Sequence, residues 1–206
     1  MSIMKNKEDF NDYIESFLRQ NSVLNLISKN DEKYLWEKHI FDSLAIEQVF
    51  SCERFENNTE KLSLLDIGTG GGFPAVPIAL NYPDIEVFAL DSIRKKINAI
   101  ENIKSDLKIK NLHTICDRAE NLKDKFEFDI ITSRAVAPLK VILDYAVPLM
   151  KKDGIFVAYK SIKAKDEIKD AKTSLTKNKC EVVDLIEYNL PLDENYTRNL
   201  IVVKKQ

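Results

Sequence analysis

The stretch Leu64-Leu65-Asp66-Ile67-Gly68-Thr69-Gly70-Gly71-Gly72-Phe73-Pro74 decides the fold. An apolar run of strand type enters a glycine-dense turn. A helix then opens with Pro74, tolerated in a first turn because its missing N–H would be unpaired there anyway. Four of the chain's five glycines fall between Gly68 and Gly72, too dense for a chance turn. Glycine permits positive φ and close approach of a ligand to the backbone, and the helix N-terminus adds oriented N–H groups. The segment therefore reads as a cofactor cradle.

Outward from the loop, apolar runs alternate with helical stretches. Strands are expected at 62–67, 86–90, 112–116, 128–132, 154–159, 182–188 and 200–203, with helices at 74–81, 93–107, 118–123, 138–150 and 164–177. The first five strands are short and apolar, as strands buried on both faces are. The alternation predicts a doubly wound, Rossmann-like α/β fold, a seven-stranded and mostly parallel sheet. The last two strands, joined by residues 189–195 without a helix, suit an antiparallel hairpin, so the last strand is expected antiparallel. Upstream, Phe10, Tyr13, Ile14, Phe17 and Leu18 form one helix face, and a second helix is expected over about 33–50 with Asp31 as its cap. The polar run Glu56–Lys61 reads as a linker. Two units follow: an N-terminal helical extension over 1–60 and a catalytic domain over 61–206.

The 206 residues suffice for one α/β domain plus a small accessory element. No apolar run approaches the ~18 residues needed to span a bilayer, and the N-terminus has no apolar core of a secretory signal. Cys52, Cys116 and Cys180 are scattered, which gives neither a disulfide framework nor a zinc site, so reduced thiols, no metal and a cytoplasmic location are expected. The net charge of −2 excludes bulk electrostatics as the basis of nucleic-acid binding; any such partner needs a local basic patch.

The ligand of the loop follows by elimination. A phosphate-binding loop needs Lys-Ser or Lys-Thr where Phe73-Pro74 stands, and a dinucleotide fingerprint needs a third glycine at Phe73. Asp66, two residues before Gly68, instead makes D-x-G-x-G-x-G, the pattern of class I methyltransferases, with Gly68, Gly70 and Gly72 around S-adenosylmethionine. Asp66 can orient the loop or meet the methionine ammonium. Asp91, at the end of the second strand, is placed to accept ribose hydroxyls, or to cap the following helix.

The acceptor side lies after the fourth strand, at Ser133-Arg134-Ala135-Val136-Ala137-Pro138. It carries neither an Asn-Pro-Pro-Tyr clamp for an exocyclic amine nor a Pro-Cys pair for covalent attack on a pyrimidine. Arg134 offers a planar fork for phosphate, carboxylate or a base edge, unless a neighbouring acid claims it.

Together with Asn25-Leu26-Ile27-Ser28, Lys38-His39-Ile40-Phe41-Asp42-Ser43, Asp66 to Pro77, Leu90-Asp91-Ser92, Asp117-Arg118-Ala119-Glu120, Lys160 and Arg198-Asn199-Leu200, these segments closely resemble the bacterial 16S rRNA guanine-N7 methyltransferases, also called the glucose-inhibited division protein B family. The resemblance runs almost the whole length. The chain departs from it at Ile27, Lys38 and Ser161, where the family usually has Thr, Arg and Gly.

The resemblance implies methylation of a specific guanine N7 in 16S rRNA, free or within the small ribosomal subunit, by a monomer. It implies that Gly68 and Phe73 line the cofactor pocket, that Ala119 and Glu120 border the adenine, and that Arg134 lies beside the cofactor near the acceptor. Guanine N7 has a lone pair and no proton, so transfer requires no general base, only positioning and exclusion of water. Arg134 is the candidate catalytic group, contacting the guanine edge or the cofactor carboxylate. His39, Arg118, Lys160 and Arg198 are candidate RNA contacts, His39 equally a packing residue. Two rivals remain: a non-catalytic rRNA-binding or assembly factor that retains the fold, and a nucleotide-dependent oxidoreductase, against which Asp66 and the absent third glycine argue.

Overall fold

A computed structural model describes residues 6–50, 61–192 and 196–206. The expected linker at Glu56–Glu60, Cys52 and the hairpin residues Asp193–Asn195 lie outside the described residues.

A 3-10 turn, Lys7–Phe10, leads into α1, Asn11–Leu24, which ends where Asn25 adopts φ +50°. The apolar face read from the sequence is its buried face: Phe10, Tyr13 and Phe17 are each at most 1% exposed. The second expected helix is instead broken into α2 (Lys29–Glu32), a π-helical turn (Trp36–Phe41), α3 (Asp42–Leu44) and α4 (Glu47–Phe50). Ser28, not Asp31, is the cap of α2: its side chain accepts from the Asp31 backbone N–H and donates to the Asp31 carboxylate. A π-turn rotates the face that follows it, and such turns recur at functional sites.

The sheet comprises β1 (Ser63–Ile67), β2 (Glu86–Leu90), β3 (Leu112–Ile115), β4 (Phe128–Arg134), β5 (Met150–Ser161), β6 (Cys180–Leu190) and β7 (Tyr196–Lys205). Its order is β3-β2-β1-β4-β5-β7-β6, with β1 to β5 parallel and β7 antiparallel to both β5 and β6. The last three strands are longer than the apolar runs suggest, because the β6–β7 hairpin continues its pairing through polar residues. Helices α5 (Ala75–Asn81), α6 (Arg94–Leu107), α7 (Leu139–Ala146), α8 (Ala164–Asp170) and α9 (Lys172–Lys177) cross between strands. The expected helix at 118–123 is a 3-10 turn, Ala119–Leu122.

Two apolar layers flank the sheet. One is built on β1, α5 and α6 and also takes in Phe10, Tyr13, Phe17, Leu35 and Ile40, so the N-terminal helices share their core with the sheet. The other packs α7 to α9 against the opposite face. Chain order reverses between β1 and β4, and a crevice opens at their carboxyl ends, where open α/β sheets bind ligands. Among the described residues no helix is long and apolar enough to cross a membrane.

Candidate active site

The glycine turn is held by backbone bonds that its sequence permits. Gly68 and Thr69 N–H both donate to Leu90 carbonyl oxygen, at 2.8 and 2.9 Å, tying the loop to the end of β2. Gly68, Gly70 and Gly72 take φ of +71°, +60° and +96°, where L side chains are strained. Their surroundings differ. A Cβ on Gly70 would meet nothing closer than 3.9 Å, whereas one on Gly72 would strike Val76 at 2.7 Å. Gly71 seats Phe17 and Leu26 of the N-terminal region at 3.3 and 3.2 Å from its would-be Cβ. Only Gly70 thus combines positive φ with open space. Gly72 and Gly71 serve packing.

Asp66 is fully buried beneath the loop and accepts from Thr132 Oγ1 at 3.0 Å. Burial raises its pKa to about 6, against the lowering effects of Thr69, Thr132, Arg134 and the Ala75 N–H. Its Oδ2 has no hydrogen-bond partner among the described residues, and Asp66 does not line the first cavity itself. Asp91 Oδ2 accepts the Gly70 N–H at 3.0 Å and Oδ1 the Ile93 N–H at 2.9 Å. One side chain therefore ties the loop and caps the entry to α6. A carboxylate offers about four lone-pair sites, so acceptor capacity remains.

Two cavities open at this end of the sheet. The first, about 470 Å³, is lined by Ile67, Gly68, Leu90, Asp91, Asp117, Arg118, Ala119, Glu120 and Tyr145, with Lys96 at its edge. The second, about 580 Å³, lies between the N-terminal helices and the ends of β4, β5 and β7. Its lining includes Lys38, His39, Asp42, Arg134, Tyr159, Lys160, Tyr196 and Arg198. Ala135 and Val136 line both, and among the described residues no other does. Ala135 holds φ +56°, and Val136 Cγ2 sits where a Cβ on Gly68 would be, 2.5 Å away.

Several expected site residues lie elsewhere. Phe73 is 3% exposed and does not line the first cavity; its ring packs among Tyr13, Phe17 and His39 with Arg134 above it. The sequence placed it beside the loop, but its ring packs inward against α1. Arg118 lines the first cavity rather than the second, apart from the other three candidate RNA contacts.

The neighbouring acid considered for Arg134 is Asp42. Arg134 Nη1 donates to Asp42 Oδ2 and to the Lys38 carbonyl, each at 3.0 Å, and Nη2 to His39 Nδ1 at 3.0 Å. Three of its five N–H groups are thereby used. Because Nδ1 accepts, the neutral His39 ring carries its proton on Nε2, which is buried without a partner among the described residues. Burial, then the Arg134 charge, lowers the His39 pKa to about 4, so at neutral pH it brings no positive charge to a phosphate. Packing is its role here. Lys160 Nζ is likewise engaged, with the Ala137 carbonyl at 2.8 Å and Glu167 at 2.7 Å. Arg198 lies over the Tyr196 ring at 5.0 Å, and its buried Nε pairs with Asp42 Oδ1 at 3.9 Å but makes no hydrogen bond among the described residues.

Sequence reasoning missed Asp42, Tyr188 and Tyr196 as site residues. Tyr188 Oη donates to Asp42 Oδ1 at 2.6 Å, and Tyr159 Oη to the Ser43 carbonyl at 2.7 Å. A carboxylate inside an otherwise apolar helical run was the available signal for Asp42.

The model of the family described as rRNA small subunit methyltransferase G (GidB) matches residues 6–200. The chain belongs to this family. Among GidB relatives it is 36% identical over 202 residues to the ribosomal RNA small subunit methyltransferase G of Desulfitobacterium hafniense, covering 96% of this chain and 80% of that one. It is 36% identical over 203 residues to the Bacillus licheniformis protein of the same name, covering 97% and 82%. Among solved structures, an S-adenosylmethionine-dependent methyltransferase from Clostridium acetobutylicum superposes with TM-score 0.60 at 14% identity, covering 95% of this chain and 99% of that one. A variant of MtNAS in complex with S-adenosylmethionine does so with TM-score 0.62 at 11% identity, covering 97% and 76%. These likenesses show that the GidB chain has the class I methyltransferase fold.

Proposed function

We propose that the chain transfers a methyl group from S-adenosylmethionine to N7 of a guanine in 16S rRNA, with the cofactor in the first cavity and the acceptor guanine in the second. The observation that carries this assignment is that the two cavities meet only at Ala135 and Val136, so two ligands face one another across that wall. Membership of the GidB family supports the rRNA acceptor.

The first cavity suits S-adenosylmethionine. Asp91 offers a carboxylate to ribose hydroxyls, Leu90, Ala119, Glu120 and Tyr145 can border an adenine, and of the loop glycines Gly68 lines the cavity while Gly70 and Gly72 do not. When bound, the cofactor supplies an electrophilic methyl on a sulfonium. The chain's own contribution is alignment and dryness.

A hydrogen bond to N7 would occupy the lone pair that attacks. The arginines of the second cavity are therefore assigned to phosphate or to the rest of the nucleotide, not to N7. Arg134, braced by Asp42 and His39, shapes the cavity and retains two N–H groups, while Arg198 lines the same cavity with no hydrogen bond from its Nε among the described residues. In this reading the 1–60 extension serves the 61–206 catalytic domain through its described helices, whose Lys38, His39 and Asp42 wall the acceptor cavity.

Incubation of unmodified small-subunit rRNA, or of 30S particles, with the protein and S-adenosylmethionine should yield 7-methylguanosine on nucleoside mass spectrometry. Cofactor binding with no methyl transfer to either would reject the assignment and favour an assembly factor.

A further inference from the structure

Lys160 was a candidate RNA contact by sequence; it lines the second cavity together with Glu167, but its ammonium already has partners within the chain. Its side chain is only 10% exposed. Nζ donates to the Ala137 carbonyl at 2.8 Å and pairs with Glu167 Oε2 at 2.7 Å. The same Glu167 oxygen accepts the Leu139 N–H at 2.8 Å. That N–H is one of the unpaired donors of the first turn of α7, and Pro138 before it has none to offer. One ion pair, from the end of β5 and from α8, thus grips the chain on both sides of Pro138.

The gripped segment follows directly on the wall. The β4 ladder ends at Arg134, and the next two residues, Ala135 in the left-handed region and Val136 over Gly68, separate the two cavities. Arg134 is braced on one side by Asp42 and His39. On the other side the anchor is the Lys160–Glu167 pair.

We propose that Lys160 and Glu167 are positioning residues for methyl transfer: their ion pair clamps Ala137 and Leu139 and so fixes the Ala135–Val136 wall that sets the approach of the acceptor to the methyl group. The proposal rests on the function assigned above. It adds a role for Glu167 and removes Lys160 from the RNA-binding set. A misplacement of about 1 Å at such a wall costs on the order of 10²-fold in rate.

The two roles for Lys160 differ in sign at Glu167. If Lys160 gripped an rRNA phosphate, Glu167→Ala would free a cation, remove a negative charge and tighten rRNA binding. As a clamp, Glu167→Ala lowers kcat at least tenfold and leaves the rRNA KM within about twofold. Lys160→Met does the same, and the double variant is no worse than either single one, as expected of residues acting as one unit. Glu167→Gln, which keeps an acceptor for Leu139, recovers part of the rate. Hydrogen exchange at the Leu139 amide, readable without turnover or rRNA, speeds up in Glu167→Ala and less so in Glu167→Gln. A lowered rRNA KM with unchanged kcat in Glu167→Ala, or unchanged Leu139 exchange, overturns the clamp. Absence of methyl transfer by the unsubstituted protein would instead reject the function, while the Leu139 exchange would still decide the clamp.

Discussion

Asp42 Oδ2 and Arg134 Nη1 lie 3.0 Å apart, joining the N-terminal helices to the end of β4. The carboxylate is 3% exposed and also accepts from Tyr188, so it fixes three segments of the chain at one point. Removing one partner of a buried pair strands the other charge, at a cost of about 3–5 kcal/mol. Asp42→Asn is expected to fall at the lower end, about 3 kcal/mol, since the amide can still accept one of these bonds. Chemical denaturation measures this; a loss below about 1 kcal/mol would show that Arg134 finds another partner.

Arg134→Ala should slow methyl transfer strongly while leaving S-adenosylmethionine affinity nearly unchanged. The guanidinium lines the second cavity, not the first. Calorimetry beside a methylation assay separates the two; a large loss of cofactor affinity would place Arg134 on the cofactor instead.

Gly70→Asp should abolish cofactor binding. The new carboxylate would stand beside Asp91, which receives the Gly70 N–H, in the one stretch of the loop that is open. The φ of +60° adds strain. Calorimetric titration with S-adenosylmethionine should show at least a tenfold weaker Kd with the circular dichroism spectrum unchanged.

Gly72→Ala is expected to destabilise the fold by about 1–3 kcal/mol through overpacking. Its Cβ would meet Val76 Cγ2 at 2.7 Å, at a φ of +96°. Thermal unfolding reports it; an unchanged midpoint would show that Val76 gives way freely.

Two buried groups should give opposing pH dependences. His39 falls from 6.5 to about 4 on folding, so its contribution to stability is present above pH 6.5 and lost as pH falls towards 4. Asp66 rises from 3.8 to about 6, so its contribution is present below pH 3.8 and lost as pH rises towards 6. Over the shared window the two slopes oppose each other. Asp66→Asn should leave stability rising with pH between about 4 and 6.5, and His39→Gln should leave it falling. Urea unfolding across this range checks the signs, and equal slopes in both variants would refute the assignment.

Much of the sheet was legible because strands buried on both faces must be apolar, and β2 was placed to the residue. The breaks in the second helix were not, since a π-turn leaves no mark in hydrophobic periodicity. Asp91 was legible as a residue at a strand end, and its double role emerged only once Gly70 and Ile93 were seen to converge on it. The surroundings of Phe73, His39 and Lys160 were not legible for a shared reason. Each sits next to the site in sequence, but neighbours distant in the chain claim its side chain: Phe17 for Phe73, Arg134 for His39, Glu167 for Lys160. Motif position reveals which backbone approaches a ligand, not which way a side chain turns.

Gly71 receives Phe17 and Leu26 against its bare Cα, inside what reads as a cofactor signature. During synthesis the aromatic face of α1 leaves the ribosome well before the glycine turn that covers it. Phe10, Tyr13 and Phe17 must therefore wait until β1 and the loop have emerged, which leaves an aromatic face uncovered by the loop on the nascent chain. The cofactor loop and the first helix are thus completed together, late, and each is the other's folding partner.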